Sequence, residues 1–328
     1  MIVQPLSDHP TEPDAWNAFV NEAHAGTAFQ TLRFMAYHPP DRFQNHHLVA
    51  YSRRRLFAVI PGAVVEEPDG PAFISYPGAS YGGPVIANAC SFDNAEELVG
   101  ALISYAQTHG FARIDLTLTP LPYLDRPNQT LTFALLCAGF VCRKRELTQC
   151  VDLGSAKTQR QYGLPSKTRA DIRQARKNGL RTEWTIDPSP AVLETLYALL
   201  IRNRIELGLN TPPTHTLDEL NRIRGLCPGL LWVGATFSTD GPVATTLVFR
   251  LNSRVLLTFY ICHERTARDL HPVHLLLSDL IEQGVNQGYR LLDFGISSIN
   301  MNPLPGLIRF KESFNSQGFL RETFELRL

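Results

Sequence analysis

Two short stretches of this chain put reactive side chains where a strand ends and a helix begins. Asp293-Phe294-Gly295 closes the apolar run Leu291-Leu292. A loop rich in serine, asparagine and proline, Ile296 to Pro305, then leads into Gly306-Leu307-Ile308-Arg309-Phe310-Lys311-Glu312-Ser313-Phe314, which opens a helix. A carboxylate at a strand end can take a proton from a substrate, directly or through water. The same position suits a carboxylate that caps the next loop, and its repetition as Asp115 in the other half favours that use. Both uses stand. From the residues alone, Phe310 is a core side chain and Lys311 a surface cation of an amphipathic helix.

Cations gather upstream. Lys157, Arg160, Lys167, Arg169, Arg173, Arg176, Lys177 and Arg181 stand against Asp171 alone. Ser166 is the expected N-cap, Lys167 to Asn178 the helix and Gly179 its stop. Ile172 and Ala175 face inward with Ala170 nearby, which leaves Arg169, Arg173, Arg176 and Lys177 outside. Such a face is either simply solvated or a surface for the phosphates of a nucleotide-linked substrate or an RNA backbone. Arg202 and Arg204, beside Asn203 and Glu206, offer bidentate donors to phosphate or to surface carboxylates. In the first half, Phe73 to Val85 is dense in glycine, hydroxyls and tyrosine. Tyr76 and Tyr81 have flat faces and hydroxyls suited to sugars, while the alternative is a turn-rich connector.

Metal chemistry is not expected. His271 and His274 stand three apart with His263 upstream, but no nearby carboxylate or cysteine completes a ligand set at typical spacing. The six cysteines form no C-x-x-C pair and mostly have apolar neighbours, which fits reduced core thiols.

The elements that must position these groups repeat. Glu96 to Gly110 has helical spacing and leads into Phe111-Ala112-Arg113-Ile114-Asp115-Leu116, then a helical run ending at Gly139-Phe140. Val273 to Gly288 leads into Tyr289-Arg290-Leu291-Leu292-Asp293-Phe294, then a helical run, Gly318-Phe319 and a last strand, Leu320 to Leu328. An Asp follows the first glycine by five residues in both halves. Hairpins match too: His47 to Tyr51 and Leu56 to Val65 flank Ser52-Arg53-Arg54-Arg55, and Leu230 to Phe237 and Val243 to Leu251 flank Ser238-Thr239-Asp240-Gly241. Two copies of about 150 residues each fit the usual domain size. The expectation is two α/β domains, 1–153 and 154–328, each built around a mixed sheet.

Composition agrees. At 328 residues and 44% hydrophobic content two cores can be buried, and 19% charge is too low for extended disorder. Net charge is zero, so general attraction to DNA, RNA or membrane is not expected. The N-terminal residues have no basic segment followed by an apolar run, and nowhere do about 18 apolar residues stand together. A cytoplasmic protein without membrane insertion is expected.

The ordered motifs resemble one family across nearly the whole chain. Asp293-Phe294-Gly295 with Gly306-Leu307 and Phe310-Lys311 to Phe314 is similar to the D-F-G and G-L-x-x-F-K-x-x-F signature of Fem-type aminoacyl transferases and related acyltransferases. Ser166 to Leu180 resembles that family's basic helix, and Arg202 to Leu209 its R-x-x-G segment. Tyr81-Gly82-Gly83-Pro84-Val85 resembles its R-G-P-V loop, with Gly82 in place of arginine. Phe29-Gln30-Thr31-Leu32-Arg33-Phe34 resembles its F-Q-x-x-x-F segment, with Arg33 at the same cleft.

The resemblance implies two tandem acetyltransferase-like (GNAT) domains, each a mixed, mostly antiparallel sheet flanked by helices. It implies an amide-forming reaction in which an acceptor amine attacks an acyl-CoA thioester or an aminoacyl-tRNA ester, with no bound cofactor. Lys311 would neutralise the oxyanion or a donor phosphate, Phe310 would shape the acyl slot, and Asp293 is a candidate base. As a cleft or surface residue, Lys311 would contribute little to stability. Arg202 and Arg204 match an acceptor-phosphate position. After Val255 to Ile261, acyl-CoA enzymes place a glycine loop whose bare N–H groups cradle pyrophosphate; here Arg265 matches its first position, but Arg268 and Leu270 replace the glycines. Two arginines can still bind phosphate through their side chains, with Glu264 as another possible base. The acceptor implied is a small molecule, or a lipid- or nucleotide-linked precursor of cell envelope or polysaccharide, with tRNA as a possible donor. The alternatives are an acyl-CoA N-acyltransferase on a small amine or amino sugar, and a catalytically dead module that binds nucleotide-linked sugars.

Overall fold

The computed structural model describes residues 1–8, 13–156, 163–209 and 211–328. In chain order come β1 (Ile2–Pro5), α1 (Pro13–Glu22), α2 (Leu32–Met35), β2 (Gln44–Asn45), β3 (Leu48–Ser52), β4 (Arg55–Ile60), β5 (Ala63–Val65), β6 (Ala72–Ser75), β7 (Val85–Ile86), α3 (Phe92–Thr108), β8 (Arg113–Thr117), α4 (Thr130–Cys137) and β9 (Val141–Asp152). Then follow α5 (Leu153–Ala156), α6 (Ser166–Lys177), β10 (Arg181–Ile186), α7 (Pro190–Glu206), α8 (Leu217–Leu226), β11 (Leu231–Ser238), β12 (Gly241–Arg250), β13 (Val255–His263) and α9 (Pro272–Asn286). The chain ends with β14 (Leu291–Ile296), β15 (Ser298–Ile299), β16 (Asn302–Pro303), α10 (Pro305–Glu312) and β17 (Gln317–Arg327).

The repeat is present element by element. α3 ends before Gly110 (φ +72°) and leads into β8, whose third residue is Asp115; α9 ends before Gly288 (φ +80°) and leads into β14, whose third residue is Asp293. Glycine adopts that left-handed conformation at little cost, so it stops the helix and turns the chain into the strand. The copies differ at the next helix. α4 is followed by Gly139 (φ +91°), but α10 is followed by Asn315 (φ +59°), and Gly318 lies within β17. Asparagine tolerates the left-handed region better than most residues. The first hairpin also departs from expectation, because its second strand stops at Ile60. Pro61 has no N–H to give a ladder, and the chain resumes as β5 in a different sheet.

The chain divides into two compact units: Met1–Leu147 with Ser298–Asn302 and Phe319–Leu328, and Thr148–Ser297 with Pro303–Gly318. This corrects the expected division at 153/154, since the last strand in sequence completes the first unit. β17 runs antiparallel to β8 from Thr323↔Thr117 to Arg327↔Arg113, and Phe324 is buried in the same core as Ile114 and Leu116. Thr148–Asp152 of β9 pair instead with β14 of the second unit.

The first unit holds an antiparallel sheet ordered β1-β3-β4-β7 and a second ordered β9-β17-β8-β6-β5-β2, in which β6 and β8 are parallel. The second unit's sheet runs β10-β11-β12-β13-β14-β9, antiparallel except for β13 and β14. Leu276, Leu280 and Ile281 of α9 pack in one core with Trp232, Val248, Leu256 and Leu292. Burying each such aliphatic side chain contributes about 1.5–3 kcal/mol, so α9 is anchored on this sheet.

Candidate functional site

In the second unit, β13 and β14 stay in parallel register only from Val255↔Leu291 to Leu257↔Asp293. Beyond that point the ladder ends, although Thr258 still donates its hydroxyl to the Asp293 carbonyl at 3.4 Å. β13 bulges against β12, where Leu247↔Tyr260 gives way to Val248↔Thr258 and leaves Phe259 out of register. β14 shifts against β9 between Asp293 and Ile296, turning at Gly295 (φ +78°). A bulge where a ladder ends re-aims side chains and frees backbone groups from the ladder, and ligands of α/β sheets bind at the carboxyl ends of such parallel strands.

The end of β14 is fixed by a buried polar network. One oxygen of the fully buried Asp293, Oδ1, accepts from the Thr148 hydroxyl at 2.6 Å and from the Gly295 N–H at 2.6 Å. Lys311 is only 3% exposed, and its ammonium donates to the carbonyls of Gly295 (2.7 Å) and Ile296 (2.8 Å). Ser297 Oγ donates to Gln149 Oε1 at 2.7 Å, and Gln149 Nε2 donates to the Ile308 carbonyl at 3.3 Å. These contacts correct the surface-cation view of Lys311, because α10 turns that side chain inward onto the Gly295 turn. They give Asp293 its loop-capping use. Phe310 is half-buried against the core, 5.3 Å from the His274 ring and 5.5 Å from Phe314 between centroids.

At the end of β13, His263 is held below its usual range by burial and then by Arg268, so its imidazole is neutral near pH 7. Its carbonyl accepts from Asn203 Nδ2 at 2.9 Å, which ties β13 to α7. Arg202 reaches Glu264 Oε1 at 2.7 Å, and Arg204 binds the Thr211 carbonyl at 2.7 Å and hydroxyl at 2.8 Å. Salt-bridging and loop-tethering therefore occupy both arginines, and Glu264 is the partner of one of them. Arg265 and Arg268 are exposed on the single 3-10 segment that joins β13 to α9. His271, the residue before α9, takes the left-handed conformation (φ 57°, ψ 42°).

The basic helix is present but runs Ser166–Lys177, one residue earlier at each end than expected, with Pro165 in place of Ser166 as its N-cap; Ala170 is exposed and Thr168 buried. Thr168 Oγ1 donates to the Ser313 carbonyl at 2.9 Å, so one polar side chain turns inward to tie α6 to the end of α10. Arg169, Arg173 and Arg176 line a cavity of about 200 Å³ with Ile172, Ser278 and Glu282. Arg169 contacts Ser166 Oγ at 3.1 Å and Arg176 contacts Asp279 at 3.2 Å. Lys157 and Arg160 lie outside the described residues. Asp171 turns the other way, its two oxygens 3.8 Å from His271 Nε2 and 3.7 Å from His274 Nε2. This is the carboxylate that the local spacing of the histidines did not supply.

The remaining candidates belong to the first unit, and two need correction. Tyr76 is 2% exposed with its hydroxyl on Asn45 Oδ1 at 3.1 Å, and burial pushes it up to about 12. Tyr81 is fully buried with its hydroxyl on Thr27 Oγ1 at 2.8 Å and its ring against Phe29 and Tyr123. Both are core residues rather than a sugar platform. The segment carries mainly apolar side chains inward, and the glycines between them let the backbone turn: a Cβ at Gly82 would come within 2.8 Å of Tyr76. Arg33 is exposed on α2, 3.8 Å from Asp14.

Sequence reasoning missed Thr148 and Gln149, whose only signal is a pair of polar residues inside β9, and Ser297, which lies in the loop after β14. It also missed Asp171 as a partner of histidines about a hundred residues later, which only the packing of α6 on α9 reveals.

Residues 166–311 match the family described as "Acetyltransferase (GNAT) domain". Among solved structures, the chain is similar to FemX, at 12% identity over 100% of this chain and 98% of that one, with a TM-score of 0.74. It is similar to the C-terminal domain of a putative lysylphosphatidylglycerol synthetase from Agrobacterium fabrum, at 14% identity over 95% and 90% of the two chains, with a TM-score of 0.63. A tandem GNAT protein from the clavulanic acid biosynthesis pathway matches at 13% identity over 99% and 98%, with a TM-score of 0.55. Among curated proteins none matches. Residues 166–311 thus carry the GNAT acetyltransferase pattern, and the chain has the tandem GNAT fold of the Fem type.

Proposed function

We propose that the protein is an acyltransferase that forms an amide on an amine of a cell-envelope or polysaccharide precursor, using an acyl or aminoacyl donor. The observation that carries this reading is the end of the β13–β14 ladder at Leu257 and Asp293, with bulges in both strands, in the unit with the GNAT pattern, and with Arg265 and Arg268 exposed where β13 ends. A donor's charged portion would lie against those arginines, which offer side-chain donors in place of a glycine loop. The acyl group would run into the opening, with Phe310 at its side. His263, neutral and half-buried, would take the amine's proton.

Lys311 and Asp293 serve this reaction as positioning residues. Together they fix both faces of the Gly295 turn, and thereby the wall of the opening. Arg268 and Leu270 in place of the pyrophosphate-cradling glycines favour aminoacyl-tRNA over acyl-CoA as donor. Incubation of the purified protein with pooled aminoacyl-tRNAs and, separately, with pooled acyl-CoAs tests it. Consumption of aminoacyl-tRNA is the expected result. Consumption of acyl-CoA alone supports N-acylation of a small amine or amino sugar, and consumption of neither leaves a binding module for nucleotide-linked sugars.

A further inference from the structure

We propose that Asp171, His271 and His274 form a binding site for a first-row divalent transition metal ion. The site goes beyond the acyl-transfer reading and does not depend on it. Asp171 comes from α6, His271 precedes α9 and His274 lies in its first turn. Their ligand atoms lie within 4.8 Å of one another. The two imidazoles address different oxygens of the same carboxylate, His271 Nε2 at 3.8 Å from Oδ1 and His274 Nε2 at 3.7 Å from Oδ2.

Those separations are too long for hydrogen bonds, which need roughly 2.7–3.2 Å between heavy atoms. They are close to what a shared ion requires. Bonds of about 2.0–2.2 Å in a tetrahedral site put ligand atoms about 3.4 Å apart; the two Asp171–histidine separations exceed that by a few tenths of an ångström, and side-chain rotation that draws in ligand atoms lying within 4.8 Å of one another closes the set. The backbone helps to place His271. Its left-handed conformation (φ 57°, ψ 42°) caps the 3-10 segment Arg265–Leu270, with its N–H on the Arg268 carbonyl at 3.1 Å, and so fixes the residue one step before α9. Two imidazole nitrogens and one carboxylate oxygen suit Zn²⁺, Co²⁺ or Ni²⁺, whereas Ca²⁺ and Mg²⁺ prefer oxygen ligands throughout. The three side chains are 17–30% exposed, so the ion would keep a face open to water or to an anionic group.

The test is a Co²⁺ titration of the tag-free full chain, followed by its visible absorption and by displacement with Zn²⁺. One ion per chain with a tetrahedral Co²⁺ spectrum is the expected result, together with a rise in Tm on adding Zn²⁺ that a chelator reverses. Asp171→Asn and His274→Gln should each weaken binding by roughly tenfold or more, with circular dichroism confirming the fold. His271→Ala, at a half-exposed position before the helix, gives the same readout if the other variants fail to fold. Absence of a stoichiometric ion, or binding that survives the substitutions in folded protein, overturns the proposal.

Discussion

Asp115 and Asp293 occupy the same slot in the two halves, and their surroundings are different. Each is the third residue of a strand flanked by one parallel and one antiparallel neighbour: β8 lies between β6 and β17, and β14 between β13 and β9. Asp115 sits in a charged cluster, 3.2 Å from Arg113 and 3.0 Å from Arg143, with Glu325 and Glu67 beside the same arginines. Burial outweighs those guanidiniums and lifts its carboxyl above the usual range. Asp293 instead accepts from a hydroxyl and a backbone N–H at a glycine turn that Lys311 grips from the other side. The repeat thus keeps a place for a carboxylate while its work changes, from balancing charge on a sheet to shaping the edge of an opening.

The largest expected effect comes from truncating the two carboxylates. Asp293→Ala leaves the Thr148 hydroxyl and the Gly295 N–H buried without this acceptor, at about 1–3 kcal/mol each, and should destabilise by about 4 kcal/mol in total. Asp115→Ala removes a charge that burial disfavours and leaves Arg113 with Glu67 and Arg143 with Glu325, so it should cost about 1–2 kcal/mol. Urea midpoints of the two variants measure this directly, and equal losses would erase the contrast.

Lys311→Met comes next. It strips the Gly295 and Ile296 carbonyls of their donor and should lower stability by about 2 kcal/mol, or roughly 6 °C in Tm. An unchanged Tm would return Lys311 to the surface role that its helix position alone suggests.

Acid should act on the first unit through His47. Burial, helped by His46, pushes its imidazole down to about 4, and its Nδ1 accepts from the Gly62 N–H at 3.2 Å. The unfolded chain binds a proton at about pH 6.5 that the folded chain refuses, so this stabilisation is complete above pH 6.5 and is lost as pH falls toward 4. Allowing for partial exposure, about 2 kcal/mol is at stake. His47→Gln should flatten the decline in stability over that window. A decline of the same slope in the variant assigns it to other groups.

The smallest effect is kinetic. Arg173→Gln with Lys177→Gln neutralises exposed cations of α6 and spares Arg176, which pairs with Asp279. Apparent KM should rise a few-fold and its salt dependence flatten, with Tm unchanged. An unaltered KM makes this face of α6 a merely solvated one.

Much of the fold was legible because its punctuation is local. Gly110, Gly139, Gly179 and Gly288 all adopt positive φ where helices stop, and the Asp-Gly hairpin falls where its residues demand. Membership of the units was not legible, since whether β17 pairs with β8 is decided by partners some two hundred residues away. The site was legible in type more than in role. The family resemblance put Lys311 and Asp293 in one motif, but only the turn of α10 shows the ammonium on the Gly295 carbonyl. Tyr76 and Tyr81 were misread because a glycine- and tyrosine-rich stretch has the same composition whether its rings face solvent or the core.

The proposed acyl transfer takes place in the second unit, at the end of β13. Amide product formed with an amine acceptor, measured for the full chain and for Arg265→Gln/Arg268→Gln, tests it most directly, with Arg53→Gln/Arg54→Gln at the first unit's hairpin tip as the control. The account predicts product from the unaltered chain, a fall in kcat/KM of roughly tenfold or more when Arg265 and Arg268 are neutralised, and no change in the control. Product formation indifferent to Arg265 and Arg268, or no product from either donor class, would contradict it.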